Sequence, residues 1–237
     1  MSLSFLPTLS YVDRVKAMFD VTLSFDNGPE PDVTPGVLDT LRAEDVRATF
    51  FVIGTKLMRA RELAVRAHGE GHWLGNHTWS HTIPMGLRTE PNAGELEIGR
   101  TDIALADLRH PDRLFRPFAG KGQGGALGPT LLSPSTVAYL ERGQFTCVLW
   151  NVIAREWEMP DEWVAPAVEL CVRQQHALIV LHDLPNGAMT HLPRFIATVR
   201  SRGGRFRQDF PASAMPIARG VRMQPLDAFM PALTPVN

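Results

Sequence analysis

Short β-rich runs alternate with helical patterns about seven times along this 237-residue chain, with no internal repeat and no long polar linker. The runs read as strands are Val21–Phe25, Ala48–Ile53, His72–Gly75, Leu114–Arg116, Phe145–Val152, Ala177–Leu181 and, last and short, Arg205–Arg207. Helical patterns lie between them. Thr34–Glu44 places Val37, Leu38 and Leu41 on one face, and Lys56–His68, Glu90–Leu108, Pro134–Glu141, Asp161–Gln174 and Leu192–Ser201 follow. Strands separated by crossover helices pair in parallel, so the chain reads as α/β with about seven parallel strands and outer helices. A closed or nearly closed (β/α) barrel fits the length better than an open sheet, although the pattern alone does not separate them. The expected organisation is one domain over 1–237. Its core lies at about 21–210, and a Pro-rich tail, 211–237, packs on the barrel. In either architecture, chemistry collects at the C-terminal ends of the strands.

Charge and composition remove several classes of function. A formal net charge of -1 gives no global pull toward nucleic acid or an anionic membrane. The basic run Arg200–Arg207 is short and interrupted by glycine, and reads as a solvated turn and strand. Cys147 and Cys171 form no CxxC pair and sit among apolar residues, which suits buried thiols better than a disulfide framework. No apolar run reaches the ~18–20 residues of a membrane span, and no signal-peptide pattern opens the chain. The expectation is a cytoplasmic protein, with no nucleic-acid or membrane partner.

Four strand ends carry chemistry. His77 and His81 are four residues apart, follow the Gly75-Asn76 turn and precede Pro84. They can aim two imidazoles at one divalent metal, and catalytic zinc takes such nitrogens while keeping an open position for water. On its own the spacing more often describes one packed and one surface histidine. Asp26 ends the first strand and is followed by Asn27-Gly28-Pro29. It is either a turn former or, beside the histidines, a general base toward water, with the Asn27 amide oxygen a neutral metal donor. Arg116 is a strand arginine that pairs with a helix acid or clamps Asp26. His182 is a capping histidine or a general acid for a departing amine. Glu156 could orient His182, and Trp157 could wall an acyl pocket.

The order of these residues is more specific than any one of them. Ser24-Phe25-Asp26-Asn27-Gly28-Pro29, His77-Thr78-Trp79-Ser80-His81, Arg116-Pro117-Phe118-Ala119-Gly120, Ile153-Ala154-Arg155-Glu156-Trp157 and Leu181-His182 follow successive strands. In this order they resemble the five motifs of the polysaccharide deacetylases, carbohydrate esterase family four, over about residues 21–210. The resemblance implies a distorted (β/α) barrel and zinc- or cobalt-dependent removal of acetyl groups from sugar polymers. It also implies roles. Asp26 is the base, His77 and His81 with Asn27 hold the metal, Arg116 holds Asp26, and His182 is the acid, oriented by Glu156. Phe118, Ala119, Trp157 and Leu181 line the substrate pocket. The chain departs from the pattern at Asn27, which stands in place of a metal-binding Asp. Ile153 and Glu156 replace two Asp residues, and Ala119 replaces a common Tyr.

The leading expectation is therefore a metal-dependent hydrolase of non-peptide carbon–nitrogen bonds, acting on an N-acetylated amino sugar or oligosaccharide. Two others stand beside it. One is a silent barrel that binds glycan or a protein partner; the other is a hydrolase of a small non-sugar amide. The sequence leaves the oligomeric state open. The Gly120–Gly128 loop is expected to shape the pocket and to be mobile.

Overall fold

A computed structural model describes residues 18–120 and 124–232. The ends of the expected domain and tail, and the middle of the Gly120–Gly128 loop, lie outside the described residues. The first strand, β1 (Phe19–Asp26), organises the rest. Its odd positions, Phe19, Val21, Leu23 and Phe25, join the core cluster packed under the helices. Its even positions, Asp20, Thr22, Ser24 and Asp26, are polar and also buried, so they face the interior of the sheet's curve. One edge of β1 pairs with β7 (His176–His182) along its length, putting Asp26 opposite His182. The other edge is shared. Leu23–Asp26 pair with β2 (Ala48–Val52), and Phe19–Thr22 pair with β8 (Gly204–Arg207).

Beyond β2 the parallel order continues through β3 (Trp73–Asn76), β4 (Leu114–Phe115) and β5 (Thr146–Cys147); beyond β7 lies β6 (Val152–Ile153). The sheet is not closed between β5 and β6. There the structure splits the single run expected at Phe145–Val152. Val148 N–H still bonds to Phe115 O, but Asn151 N–H bonds to Leu178 O, so the chain leaves β4 and lands on β7. The carbonyls of Val148 and Leu149, at the crossing, accept from the Arg116 guanidinium at 3.1 and 3.0 Å. The expected barrel is thus present in distorted, open form, with β6 as an added short strand. Two further strands come from the tail: β9 (Ile217–Ala218) pairs antiparallel with β5, and β10 (Val221–Arg222) pairs with β9.

Helices α1 (Thr34–Ala43), α5 (Pro134–Arg142), α6 (Val164–Val172) and α7 (Leu192–Ser201) occupy the expected segments. Ser133 caps α5 by accepting the Thr136 N–H, with proline at the first helical position, where its missing donor costs nothing. The stretch expected as Lys56–His68 breaks at Ala60 into α2 (Gly54–Arg59) and α3 (Arg61–Gly69). The stretch Glu90–Leu108 is also not one helix. It begins with a wide π-turn, Gly94–Gly99, continues as α4 (Arg100–Leu105) and ends in a tight turn, Ala106–Leu108. Both cysteines are free and buried. Among the described residues no helix is long and apolar enough to cross a membrane.

Candidate active site

The C-terminal ends of β1, β3 and β7 converge on a cavity of about 440 Å³. Asp26, at the end of β1, is buried beside a fully buried arginine. Arg116 donates from Nη1 to Asp26 Oδ1 at 2.9 Å and to Ser24 Oγ at 2.7 Å, and its guanidinium lies 4.0 Å from the centre of the Phe51 ring. Every face of the fork is thereby engaged, which fixes where its charge sits. Burial alone would push the Asp26 carboxyl up; Arg116, with His77 and His182, overrides it and holds the group below the ordinary carboxylate value.

His77 and His81 follow β3 with ring centres 4.9 Å apart. His77 Nδ1 lies 2.8 Å from Arg116 O. A carbonyl only accepts, so Nδ1 carries the proton, and the lone pair of Nε2 faces the cavity, 3.6 Å from Asp26 Oδ2. His81 stacks on Phe118 with ring centres 3.8 Å apart. Burial lowers the pKa of both histidines, that of His81 to about 3, so both rings are neutral donors at neutral pH. Asn27 adds a third donor. It holds a left-handed backbone (φ 73°), which asparagine tolerates better than most residues, and its Oδ1 is buried with no hydrogen-bond partner. Among the described residues no group of three His, Cys, Asp or Glu side chains is arranged to hold a metal. Two imidazoles and one orphaned amide oxygen nevertheless fit a divalent ion, with neutral donors only.

On the opposite wall His182 Nδ1 lies 2.7 Å from Glu156 Oε1. Burial opposes protonation of His182, but Glu156, with Asp26, outweighs it and raises the pKa. Glu156 is itself buried, and its second oxygen, Oε2, has no partner. Trp157 meets the His182 ring edge-on at 4.9 Å. Trp157, Phe118 and Ala119 all line the cavity, joined by Trp150 and Val180.

One expected pocket residue is placed elsewhere. Leu181 is fully buried in the core cluster under the helices, because alternation along β7 turns Val180 and His182 to the cavity and Leu181 away from it. Several residues that sequence reasoning left without a role support the site. Asn76 donates from Nδ2 to Ile98 O and accepts the Thr78 N–H, fixing the start of the histidine loop. Glu97 accepts the N–H groups of Trp79 and Ser80 within that loop. Asp183, fully buried, accepts from Thr34 and abuts Gly28, where a Cβ would come within 2.6 Å of its Oδ2. Burial raises its pKa to about 6.

Comparison with known proteins agrees with this fold. The family model for polysaccharide deacetylase matches residues 15–126. The chitooligosaccharide deacetylase of a Bradyrhizobium species is 35% identical over 163 residues, which is 69% of this chain and 70% of that one. The chain belongs to the polysaccharide deacetylase family. A peptidoglycan-N-acetylglucosamine deacetylase of Listeria monocytogenes is 26% identical over 82% of this chain, which spans only 39% of that relative's length. Among solved structures, a family 4 carbohydrate esterase from Streptomyces lividans in complex with acetate superposes with a TM-score of 0.67. It is 26% identical, with 83% of this chain and 96% of that one covered. A family 4 acetyl xylan esterase from Clostridium thermocellum, in complex with a cobalt ion, gives a TM-score of 0.63 at 26% identity over 79% of this chain and 87% of that one.

Proposed function

We propose that this site removes an N-acetyl group from an amino sugar or oligosaccharide, with a divalent ion held by His77, His81 and Asn27. The observation that carries the reading is the rung Asp26–His182 at the mouth of the sheet. One member is held ionised by Arg116 and the other is made more basic by Glu156, with the two neutral imidazoles beside them. Two titratable groups with pKa values driven apart mark a base and an acid. The related chitooligosaccharide and peptidoglycan deacetylases favour an acetylated amino sugar as the substrate class.

A bound zinc or cobalt ion supplies Lewis-acid polarisation of the acyl oxygen and acidifies water. The chain's own residues do the rest. Asp26 takes a proton from the attacking water as its oxygen bonds to the acyl carbon. A backbone N–H near Ala119, which lines the cavity, would donate to the acyl oxygen as charge develops there. His182 gives its proton to the nitrogen as the carbon–nitrogen bond breaks, leaving acetate and a free amine. Phe118 and Trp157 enclose the small acyl group. The test is calorimetry with zinc and cobalt on metal-stripped protein, paired with acetate release from chitooligosaccharides. Binding and release that His77→Ala abolishes support the reading. Full metal-dependent turnover in His77→Ala refutes it.

A second reading rests on Asn27, whose amide lacks the charge of a carboxylate. A barrel too weak in metal affinity to turn over would instead bind glycan or a partner. Asn27→Asp separates the two: a large gain in affinity without hydrolysis of any acetylated sugar favours the silent barrel. A small non-sugar amide as substrate remains the third outcome of the same assay.

A further inference from the structure

The loop between the two histidines holds an unusual amount of backbone in strained or polar positions. Thr78 and His81 have positive φ angles of 68° and 53°, a region that non-glycine residues rarely occupy. Such a loop keeps one shape only if its surroundings over-determine it. Thr78 O and Trp79 O accept the N–H groups of Gly54 and Thr55 at the start of α2. Thr78 N–H goes to Asn76 Oδ1, and His81 N–H goes to Thr78 Oγ1. The two remaining N–H groups, of Trp79 and Ser80, both go to one oxygen, Glu97 Oε2, at 3.0 and 2.9 Å. The other oxygen, Oε1, accepts from Ser80 Oγ at 2.7 Å and pairs with Arg88.

Glu97 is buried, with 5% of its surface exposed, and it lies on the π-turn Gly94–Gly99. The same turn holds Asn76 through Ile98 O, so a single element grips the loop at its root and its middle. Adjacent N–H groups converging on one carboxylate oxygen make a small anion nest, and charge-assisted bonds of this kind are about twice as strong as neutral ones. Arg88 balances the charge, so the carboxylate is buried at lower cost than it would be alone.

We infer that Glu97 is a positioning residue for the metal site: it sets the angle between the His77 and His81 rings through the Trp79–Ser80 backbone. It touches neither substrate nor ion. The inference rests on the proposed metal-binding role of the two histidines.

Cobalt(II) alone, titrated into the metal-stripped protein, tests it by calorimetry and by the visible absorption of the bound ion. In Glu97→Gln the amide can still accept the two N–H groups but turns an NH2 toward Arg88 or Ser80. The expected result is about a 10–100-fold loss of cobalt affinity. The absorption spectrum should change, and far-UV circular dichroism should keep its native form. Ser80→Ala, which removes one of the donors and leaves the backbone bonds, should lose affinity less and keep the cooperative melt. A Glu97→Gln protein that melts lower, yet binds cobalt with unchanged affinity and spectrum, overturns the inference, because a merely structural residue behaves that way. Should Glu97→Gln fail to fold, an unchanged spectrum and affinity in Ser80→Ala overturn it as well. Absence of cobalt binding in the unaltered protein and in Asn27→Asp overturns the metal reading itself, a different outcome from either.

Discussion

Replacing Arg116 with methionine removes the charge that keeps Asp26 ionised, and the structure sets the scale of the loss. The guanidinium is fully buried and donates to Asp26, Ser24, Val148 O and Leu149 O. Methionine fills similar space but donates nothing. Stranding a buried carboxylate costs about 3–5 kcal/mol. The two carbonyls left without this donor cost about 1–3 kcal/mol each at most, and these figures do not add. Against a typical domain stability of about 5–15 kcal/mol, the variant is marginal at neutral pH. The pH dependence carries the sign. In the native protein the folded pKa of Asp26 lies below the ordinary 3.8. Its contribution is therefore in place above that value and is lost only as pH falls through the lower folded pKa. In Arg116→Met burial wins, the folded pKa rises above 3.8, and the penalty is full above the new value and fades on acidification. Urea unfolding at pH 7.5 and pH 4.5 should therefore show a smaller difference between variant and native protein at the lower pH. Adding Asp26→Asn should recover most of the loss at pH 7.5. A loss that is independent of pH and unchanged in the Asp26→Asn background would refute the claim that Arg116 acts by holding Asp26 ionised.

Four other outcomes follow from the same geometry. Asn27→Asp should tighten cobalt binding by at least about tenfold, equivalent to about 1.4 kcal/mol, as read by calorimetry. Glu156→Gln removes the main influence raising the His182 pKa, so the alkaline limb of the kcat–pH profile, where the acid loses its proton, should move to lower pH. Gly54→Ala would drive a Cβ into the Trp79 ring and against Thr101, costing about 1–3 kcal/mol in thermal unfolding and weakening cobalt binding through the displaced loop. His72 is neutral and accepts the Ala48 N–H, with its pKa lowered by burial from 6.5 to about 4. Its contribution is full above pH 6.5 and drains away as pH falls toward 4, so a fall in Tm across that window should shrink in His72→Gln.

What the sequence disclosed was whatever has a period or a fixed chemical role. The apolar runs located β1, β2, β3, β4 and β7 to within a residue or two, because each is a buried strand bounded by a turn, and the short Arg205–Arg207 run located the largely exposed β8 as closely. The run at Phe145–Val152 misled for the opposite reason: it is mostly apolar, but its middle spans an opening in the sheet and spends its carbonyls on Arg116. Leu181 was misplaced by a one-residue reading of β7, which sends alternate side chains to opposite faces. Glu97 had no local signal at all, and Asn76 was legible only as half of the Gly75-Asn76 turn. The Glu97 partners are backbone N–H groups of a loop 17 and 18 residues away, and a backbone N–H leaves no mark on composition or spacing.

The charges of the site also explain why Asn27 need not silence it. Asp26 is matched by Arg116, and Glu156 is matched by His182 when that ring is protonated. Neither carboxylate is spare to neutralise a cation, so a divalent ion held as proposed by His77, His81 and Asn27 would bring its full charge. That placement weakens binding, since charge count among the donors tunes affinity. It also favours ions that prefer nitrogen over those that need carboxylates, as zinc and cobalt do relative to magnesium. Such an ion would polarise an acyl oxygen more strongly than one already neutralised by an aspartate. Asparagine at this position therefore trades affinity for polarising strength. Asn27→Asp should then bind the metal better while gaining less in kcat than in occupancy, which turnover measured at saturating cobalt separates from turnover at limiting cobalt.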